Sequence, residues 1–142
     1  MADPLSMAAG IAGLLSLSLQ LTKVISDYTI TVSGASKAIG DLQDRLQALS
    51  QVLRQLNAFL RTANVQGNSF DQSSVLCYAI NACQEKLHRL GERLDQVTSK
   101  NGLSRVINSL KWPFVDNENK ELLRNLDGYI EIFHFSVTID GW

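Results

Sequence analysis

Apolar residues recur at alternating steps of four and three along most of this chain, and this spacing constrains its fold more than any other feature. The clearest run is Leu42, Leu46, Leu49, Leu53, Leu56 and Leu60. A second run is Leu76, Ile80, Cys83, Leu87, Leu90, Leu94 and Val97. This spacing places apolar side chains on one face of an α-helix, whereas a strand alternates every second residue. The sequence therefore predicts an all-α fold.

Helix-starting and helix-breaking residues divide the chain into four long helices and one short one. The first helix begins at Pro4, the second near Ala38 to Asp41, the third near Asp71 and the last at Asp116 or Asn117. The second ends at about Thr62, before the turn-prone stretch Asn64 to Ser69, and the third ends before Asn101 and Gly102. The short helix carries Leu103, Ile107 and Leu110 and stops at Trp112-Pro113-Phe114. The last helix has the stripe Leu122, Leu126, Ile130, Phe133 and Val137.

Long helices with narrow apolar seams and short connections pack best side by side within one chain. The 142 residues suffice for one domain with a substantial core, and no linker-like composition divides residues 1–142. We therefore expect a single antiparallel bundle. Extended coiled coils between chains are the alternative, which light scattering would reveal.

Composition and single residues argue against several functions. The net charge is -1 and the thirteen basic residues are scattered, so a nucleic-acid surface is not expected. Cys77 and Cys83 lie six apart on one predicted helix, unsuited to a disulfide or a zinc site and typical of a reducing, intracellular setting. His88 and His134 are isolated, and the glycines at 10 and 13 form no phosphate loop. We expect neither enzymatic activity nor a cofactor.

The first predicted helix carries nineteen residues, Pro4 to Thr22, without a charged side chain. At about 1.5 Å per residue this stretch is about 28 Å long, close to the hydrocarbon thickness of a bilayer. Serines, a glutamine and two glycines dilute its leucines, so it suits either a protein core or a lipid core. Its predicted core stripe is Gly10, Leu14, Leu17, Leu21, Val24 and Tyr28.

A secretory signal peptide is the competing interpretation of residues 1 to 22. Signal peptides need a positively charged start, but this chain begins Met1, Ala2 and Asp3. Asp3 instead suits a helix N-cap, and Pro4 suits the first helical position. A cytoplasmic protein is the better expectation.

Small residues four apart recur within the uncharged stretch. The pairs are Ser6 and Gly10, Ala9 and Gly13, and Ala12 and Ser16. Such pairs let helix backbones approach closely and support association in lipid. Close packing inside a bundle explains them nearly as well.

Two segments at opposite ends of the chain carry a family resemblance. The opening MADPLSMAAGIAGLLSLSLQLTKVISDY resembles the start of fungal HeLo-like domains, the N-terminal domains of many fungal STAND-type signalling proteins. The segment LKWPFVDNENKELLRNLDGYIEIFHFSV is similar to a later part of that family. The resemblance spans nearly the whole chain, although Phe133-His134-Phe135 is more aromatic than the usual aliphatic ending.

The resemblance implies a helical bundle that acts in programmed cell death, fungal innate immunity and heterokaryon incompatibility. A C-terminal regulatory region or a STAND or amyloid-signalling partner would cluster the domain and trigger membrane damage. Asp3 to Thr22 would then leave the bundle and enter the bilayer. The candidate insertion residues are Asp3, Leu5, Ala9, Gly10, Ile11, Gly13, Leu14, Leu15, Leu17, Leu19 and Leu21.

Two functions remain open on the sequence. The first is a membrane-permeabilising or pore-forming domain, cytoplasmic at rest and moving to the plasma membrane on activation, with anionic lipids and other copies of itself as partners. The second is a helical adaptor or oligomerisation module without membrane activity. Flotation with liposomes distinguishes them.

Overall fold

The computed structural model describes residues 4–31, 36–66, 73–100 and 116–138, and all of these residues are helical. The four helices are α1 (Pro4–Thr31), α2 (Ser36–Gln66), α3 (Ser73–Lys100) and α4 (Asp116–Thr138). The predicted all-α fold with four long helices is therefore confirmed. The predicted short helix at positions 103–110 and the corner at 112–114 lie outside the described residues.

The ends of the helices agree with the sequence except at α2. Helix α1 begins at Pro4 and α4 at Asp116, as predicted, while α3 begins at Ser73. Helix α2 begins at Ser36 and continues to Gln66, into the stretch predicted as a turn. Extending an existing helix fixes one residue at a time, and the unfavourable propensity of serine or asparagine is below about 1 kcal/mol per residue. Weak turn signals at these ends are therefore overridden.

Contacts across the α1–α2 pair show that these helices run in opposite directions. Ser18 lies opposite Ser50, with the two hydroxyl oxygens 3.0 Å apart, and Ser26 lies opposite Gln43. Residue numbers thus rise on one helix as they fall on the other. Helices α3 and α4 are also antiparallel, because Arg93 near the end of α3 pairs with Glu118 at the start of α4.

Helices α1 and α3 run in the same direction, so the two antiparallel pairs lie side by side. Gly10 packs against Ile80, and Leu21 packs against Gly91. Among the described residues α1 contacts α2 and α3, and α4 contacts the same two helices. Helices α2 and α3, although consecutive, therefore occupy opposite corners. Direction thus alternates from each helix to the next along the chain, while the packed neighbours α1 and α3 are parallel.

The predicted seams of α2 and α3 form the centre of the core. Every leucine of the α2 seam is at most 1% exposed, and the α3 seam is buried from Leu76 to Leu94. Helix α4 adds Leu126 and Phe133, both fully buried. Fully burying one such side chain contributes about 1.5–3 kcal/mol. These seams therefore account for much of the stability of the bundle.

The predicted stripe of α1 is partly wrong. Val24 is 37% exposed and Leu17 is only partly buried. The face that enters the core instead carries Ala8, Ile11, Leu14, Ser18, Leu21 and Ile25. Since α1 has apolar residues on all sides, its pattern does not select one face. The positions of α2 and α3 decide which side chains are buried.

Candidate membrane-inserting helix

The structure distributes the predicted insertion residues around all sides of α1. Asp3 lies outside the described residues, and Leu5 lies in the first turns of α1. The others divide into buried Ile11, Leu14 and Leu21, partly buried Gly10, Leu15 and Leu17, and exposed Ala9, Gly13 and Leu19. They form one continuous helical segment.

The largest side chains on the inner face of α1 are sealed inside the bundle. Ile11, Leu14 and Ile25 are completely buried, and Leu21 is 4% exposed. Each gains about 1.5–3 kcal/mol from leaving water, and a bilayer offers a similar environment only after the helix has separated. In the folded bundle this apolar face of α1 is therefore not accessible to a membrane.

Two hydroxyl groups of α1, those of Ser18 and Thr22, donate to the backbone of their own helix. Ser18 Oγ donates to the carbonyl oxygen of Leu15 at 2.9 Å, and Thr22 Oγ1 donates to that of Ser18 at 2.8 Å. An unbonded hydroxyl costs several kcal/mol in an apolar medium. Because both hydrogen bonds lie within α1, they do not depend on contact with the other helices.

The same applies to the hydroxyl on α2 that faces Ser18. Ser50 Oγ donates to the carbonyl oxygen of Leu46 at 2.9 Å. Each serine has one hydroxyl hydrogen, and each already has an acceptor in its own helix. The Ser18–Ser50 contact is thus replaceable, and separating α1 from α2 leaves neither hydroxyl without a partner.

The directional contacts between the described part of α1 and its neighbours join neutral groups. Gln43 Nε2 donates to Ser26 Oγ at 2.9 Å on the surface, and Gln84 Nε2 donates to the carbonyl oxygen of Gly10 at 3.5 Å. The second distance is at the limit of a hydrogen bond. Apolar packing therefore dominates the attachment of α1.

Ion pairs connect α4 to both of its neighbours. Arg93 pairs with Glu118, which joins α3 to α4. Arg45 Nε lies 2.6 Å from Asp127 Oδ1, which joins α2 to α4, although its N–H is not aligned with that oxygen. Neither pair involves α1. Helices α2, α3 and α4 thus share polar connections that do not depend on α1.

The outer face of α1 carries small side chains. Ala9, Gly13 and Ser16 are exposed and follow one another at steps of four and three. A side chain added at Gly13 would meet only Gln84 Nε2, at 4.0 Å, which is an ordinary contact. The small pair Ala9–Gly13 therefore faces away from the core, while Gly10 packs on α3.

Helix α1 meets the length and hydropathy required to cross a bilayer. The qualifying window is Ala8–Ser26, with 19 residues and a mean hydropathy of 1.5, and 33% of it is buried in the bundle. A core helix or a signal sequence passes the same test. The window begins later than the uncharged stretch and includes Lys23.

Outside α1, the groups that could react or bind ions include the two histidines and the charged side chains of α3. His88 and His134 are both exposed. Within the described ranges, no group of three histidine, cysteine or acidic side chains is arranged to hold a metal ion. On α3, Arg89 pairs with Glu85 at 2.6 Å, as the spacing of four predicts, whereas Arg93 pairs with α4.

Cys83 and Cys77 should differ sharply in reactivity. Burial raises the pKa of the Cys83 thiol to about 12, and its side chain is fully buried. We expect a thiol reagent at pH 8 to modify Cys77 and spare Cys83 until the protein unfolds, because the thiolate is the reactive form. Modification of both thiols at the same rate in folded protein would contradict this assignment.

The same burial makes stability depend on pH in the alkaline range. The unfolded thiol loses its proton around pH 9, while the folded thiol keeps it until its raised pKa of about 12. Stability is therefore unaffected below the unfolded pKa and falls as the pH rises toward 12, by up to about 1.4 kcal/mol per pH unit. Urea unfolding at pH 8, 9 and 10 measures this slope, and Cys83→Ala should reduce it.

Two features of α1 lacked a recognisable signal in the sequence. The internal bonding of Ser18 and Thr22 depends on rotamers that spacing does not specify. The contact of Leu21 with Gly91 joins residues seventy positions apart. An isolated glycine within a helical pattern suggests close packing at that position, but it does not identify the residue that packs there.

Comparison with known proteins identifies the chain by family. No curated protein and no solved structure matches it. The family model described as "Pigment biosynthesis cluster protein PigL N-terminal" matches residues 2–138, which is almost the whole chain. The HeLo-like identity suggested by the sequence is a finer assignment than this match supports. The chain belongs to the PigL N-terminal family of pigment biosynthesis cluster proteins.

Proposed function

We propose that this chain is a membrane-permeabilising domain of HeLo-like type, in which α1 leaves the bundle and enters a bilayer when several copies cluster. The observation that carries the proposal is the chemistry of α1. Its first nineteen residues are uncharged, and the hydroxyls of Ser18 and Thr22 are bonded within the helix itself. Such a helix can exchange a protein core for a lipid core without exposing an unbonded hydroxyl at these positions.

A single copy should remain folded. Leucine and isoleucine gain only about 0.3–0.6 kcal/mol each near the bilayer centre, whereas Ile11, Leu14 and Leu21 already gain about 1.5–3 kcal/mol each by burial in the bundle. Clustering changes the comparison in two ways. Nearby copies raise the effective concentration, and the small residues Ala9 and Gly13 allow close helix packing in lipid.

One exposed lysine beside the uncharged stretch is the support for an anionic membrane as the partner. Lys23 is exposed and is the first charged residue after the uncharged stretch. A lysine near an anionic surface contributes about 1 kcal/mol. In this proposal the resting domain is cytoplasmic, and clustering by a C-terminal regulatory region or signalling partner moves it to the plasma membrane.

A helical adaptor or oligomerisation module is the second candidate. It is favoured by the exposed apolar side chains on the outer face of α3, since Val75 is 51% exposed and Tyr78 is 74% exposed. Exposed aromatic residues are frequent anchors in protein interfaces. In this case α1 would keep its place in the core while other helices bind outside.

The deciding experiment compares the folded domain alone with the same domain fused to a chemically inducible oligomeriser. Vesicles of phosphatidylcholine and phosphatidylserine are loaded with a self-quenching dye, and flotation and leakage are measured together. We expect the monomer to stay in solution and the clustered protein to float and release dye. Clustered, folded protein that neither floats nor releases dye would establish the adaptor alternative over the membrane function.

A further inference from the structure

The parallel interface between α1 and α3 contains two matched contacts between a glycine and an aliphatic side chain. At one, Gly10 of α1 faces Ile80 of α3, and a Cβ built on the glycine would lie 3.4 Å from Ile80 Cγ2. At the other, Gly91 of α3 faces Leu21 of α1, and a Cβ built there would lie 3.3 Å from Leu21 Cδ2. Each helix thus supplies one glycine and one side chain.

The contact at Gly91 is the tighter of the two. A distance of 3.3 Å is tighter than nine in ten real Cβ contacts, so a side chain at position 91 requires Leu21 Cδ2 to move by a few tenths of an ångström, and a side chain as large as leucine presses on it further. Leu21 is buried, at 4% exposure. It belongs to α1, the helix that leaves the bundle in the proposed function. A groove of about 590 Å³ opens beside this contact, lined by the apolar Leu17 and Val24 and by the charged Lys23, Glu92 and Asp95 among others. The packing around Gly91 is therefore open on its outer side.

The contact at Gly91 lies in the C-terminal half of α1. Toward α3, the N-terminal half is held by Gly10 against Ile80 and by Gln84, which donates to the Gly10 carbonyl oxygen. Farther along α1, Leu21 contacts Gly91 of the same helix α3. The ion pair of Arg93 with Glu118 joins α3 to α4 and does not involve α1.

We propose that Gly91 is the seat of an autoinhibitory latch, in which Leu21 fits against the bare backbone of α3 and keeps the C-terminal half of α1 in the bundle. A larger residue at position 91 unseats Leu21 and opens α1 in the absence of clustering. The biological meaning of the latch rests on the proposed membrane function, but its existence can be tested in solution without lipid.

The test is hydrogen exchange of the backbone amides in Gly91→Leu. Overpacking of this size should make the amides of residues 17–26 exchange roughly tenfold to a hundredfold faster, while those in the centre of α2 and α4 keep their rates. Gly128→Leu is the matched control, because nothing lies within 4 Å of a Cβ built at Gly128. Unchanged exchange in α1 of folded Gly91→Leu would overturn the latch.

A second variant covers the case in which Gly91→Leu does not fold. Adding Leu21→Ala vacates the space that the new leucine needs, so the double variant should regain a folded bundle, with more protection of α1 than the Gly91→Leu protein. If the destabilising effects of the two single substitutions simply add in the double variant, positions 21 and 91 are not coupled. That result would overturn the latch.

Vesicle leakage separates this inference from the proposed function. Faster exchange in α1 together with leakage from unclustered Gly91→Leu supports both. Faster exchange without leakage, even after clustering, supports the latch and contradicts the membrane function. Leakage on clustering with unchanged exchange supports the membrane function and contradicts the latch.

Discussion

A disulfide between positions 18 and 50 should abolish dye release by the clustered domain, and a reducing agent should restore it. The two serine hydroxyl oxygens lie 3.0 Å apart, at 0% and 4% exposure, on facing turns of α1 and α2. Cysteine sulfurs placed there need only a small shift to reach the bonding distance of about 2.05 Å. The bond would tie α1 to α2 at the middle of the helix, so α1 could not leave.

The variant should be made with Cys77→Ser, so that the partly exposed native thiol cannot mispair. Cys83 can remain, because its pKa is raised to about 12 and its side chain is buried. Ser18→Cys and Ser50→Cys alone are the matched controls, and both should leak like the parent. Cross-linking should be verified by mass before each assay.

The expected size of the effect is a fall to the leakage seen without protein. If oxidised, fully cross-linked and clustered protein released dye at the parent rate, α1 would not need to separate from α2. The mechanism would then have to involve the intact hairpin of α1 and α2. Reversal by reductant on the same sample shows that a loss is due to the tether and not to misfolding.

Gly13→Glu should leave the bundle folded and suppress dye release by at least about a hundredfold. In the bundle Gly13 is exposed, and its nearest neighbour would be Gln84 Nε2 at 4.0 Å from an added Cβ. In the membrane the same position is the centre of the uncharged stretch, where a charged side chain costs about 3 kcal/mol per copy. The free-energy cost of the glutamate side chain thus arises only when α1 is in lipid.

Gly128→Glu is the matched control, since it makes the same substitution at an open position of α4. Both variants replace glycine within a helix and should raise the free energy of unfolding by up to about 1 kcal/mol. Dye release should be lost only for Gly13→Glu. Undiminished release from the folded, clustered Gly13→Glu protein would eliminate insertion of α1 as the mechanism.

The structure also shows that this substitution is a cleaner test than deletion of residues 1–22. The deletion removes Ile11, Leu14 and Leu21, which are all buried in the core. Exposing the remaining core to water would destabilise the bundle by several kcal/mol. Loss of leakage after the deletion would therefore not distinguish insertion from unfolding.

The helices with clear seams were predictable because their sequences allow one buried face. In α2 the leucines repeat at steps of four and three with charged and amide side chains between them, and all six are buried as predicted. The start of α1 at Pro4 followed from the preference of proline for the first helical turn. These features depend on local chemistry, which the sequence records directly.

The orientation of α1 was not predictable in the same way. Leucines lie on all sides of this helix, so the pattern admits several stripes. The predicted stripe contains Val24, whereas the structure buries Ile25. The same ambiguity makes α1 compatible with lipid, because a helix that is apolar all round can be buried in either environment. The property that made its orientation uncertain is thus the property on which the proposed function depends.

The sequence by itself determined that the chain is helical, where its long helices lie and which stretch lacks charge, because periodicity and composition are local properties. Only the tertiary structure decided which helices are neighbours, which side of α1 enters the core, and that Leu21 meets Gly91. Those outcomes depend on how four apolar surfaces fit together at once. A regular apolar seam indicates that one face of a helix will be buried, but it does not indicate which other helix will cover that face.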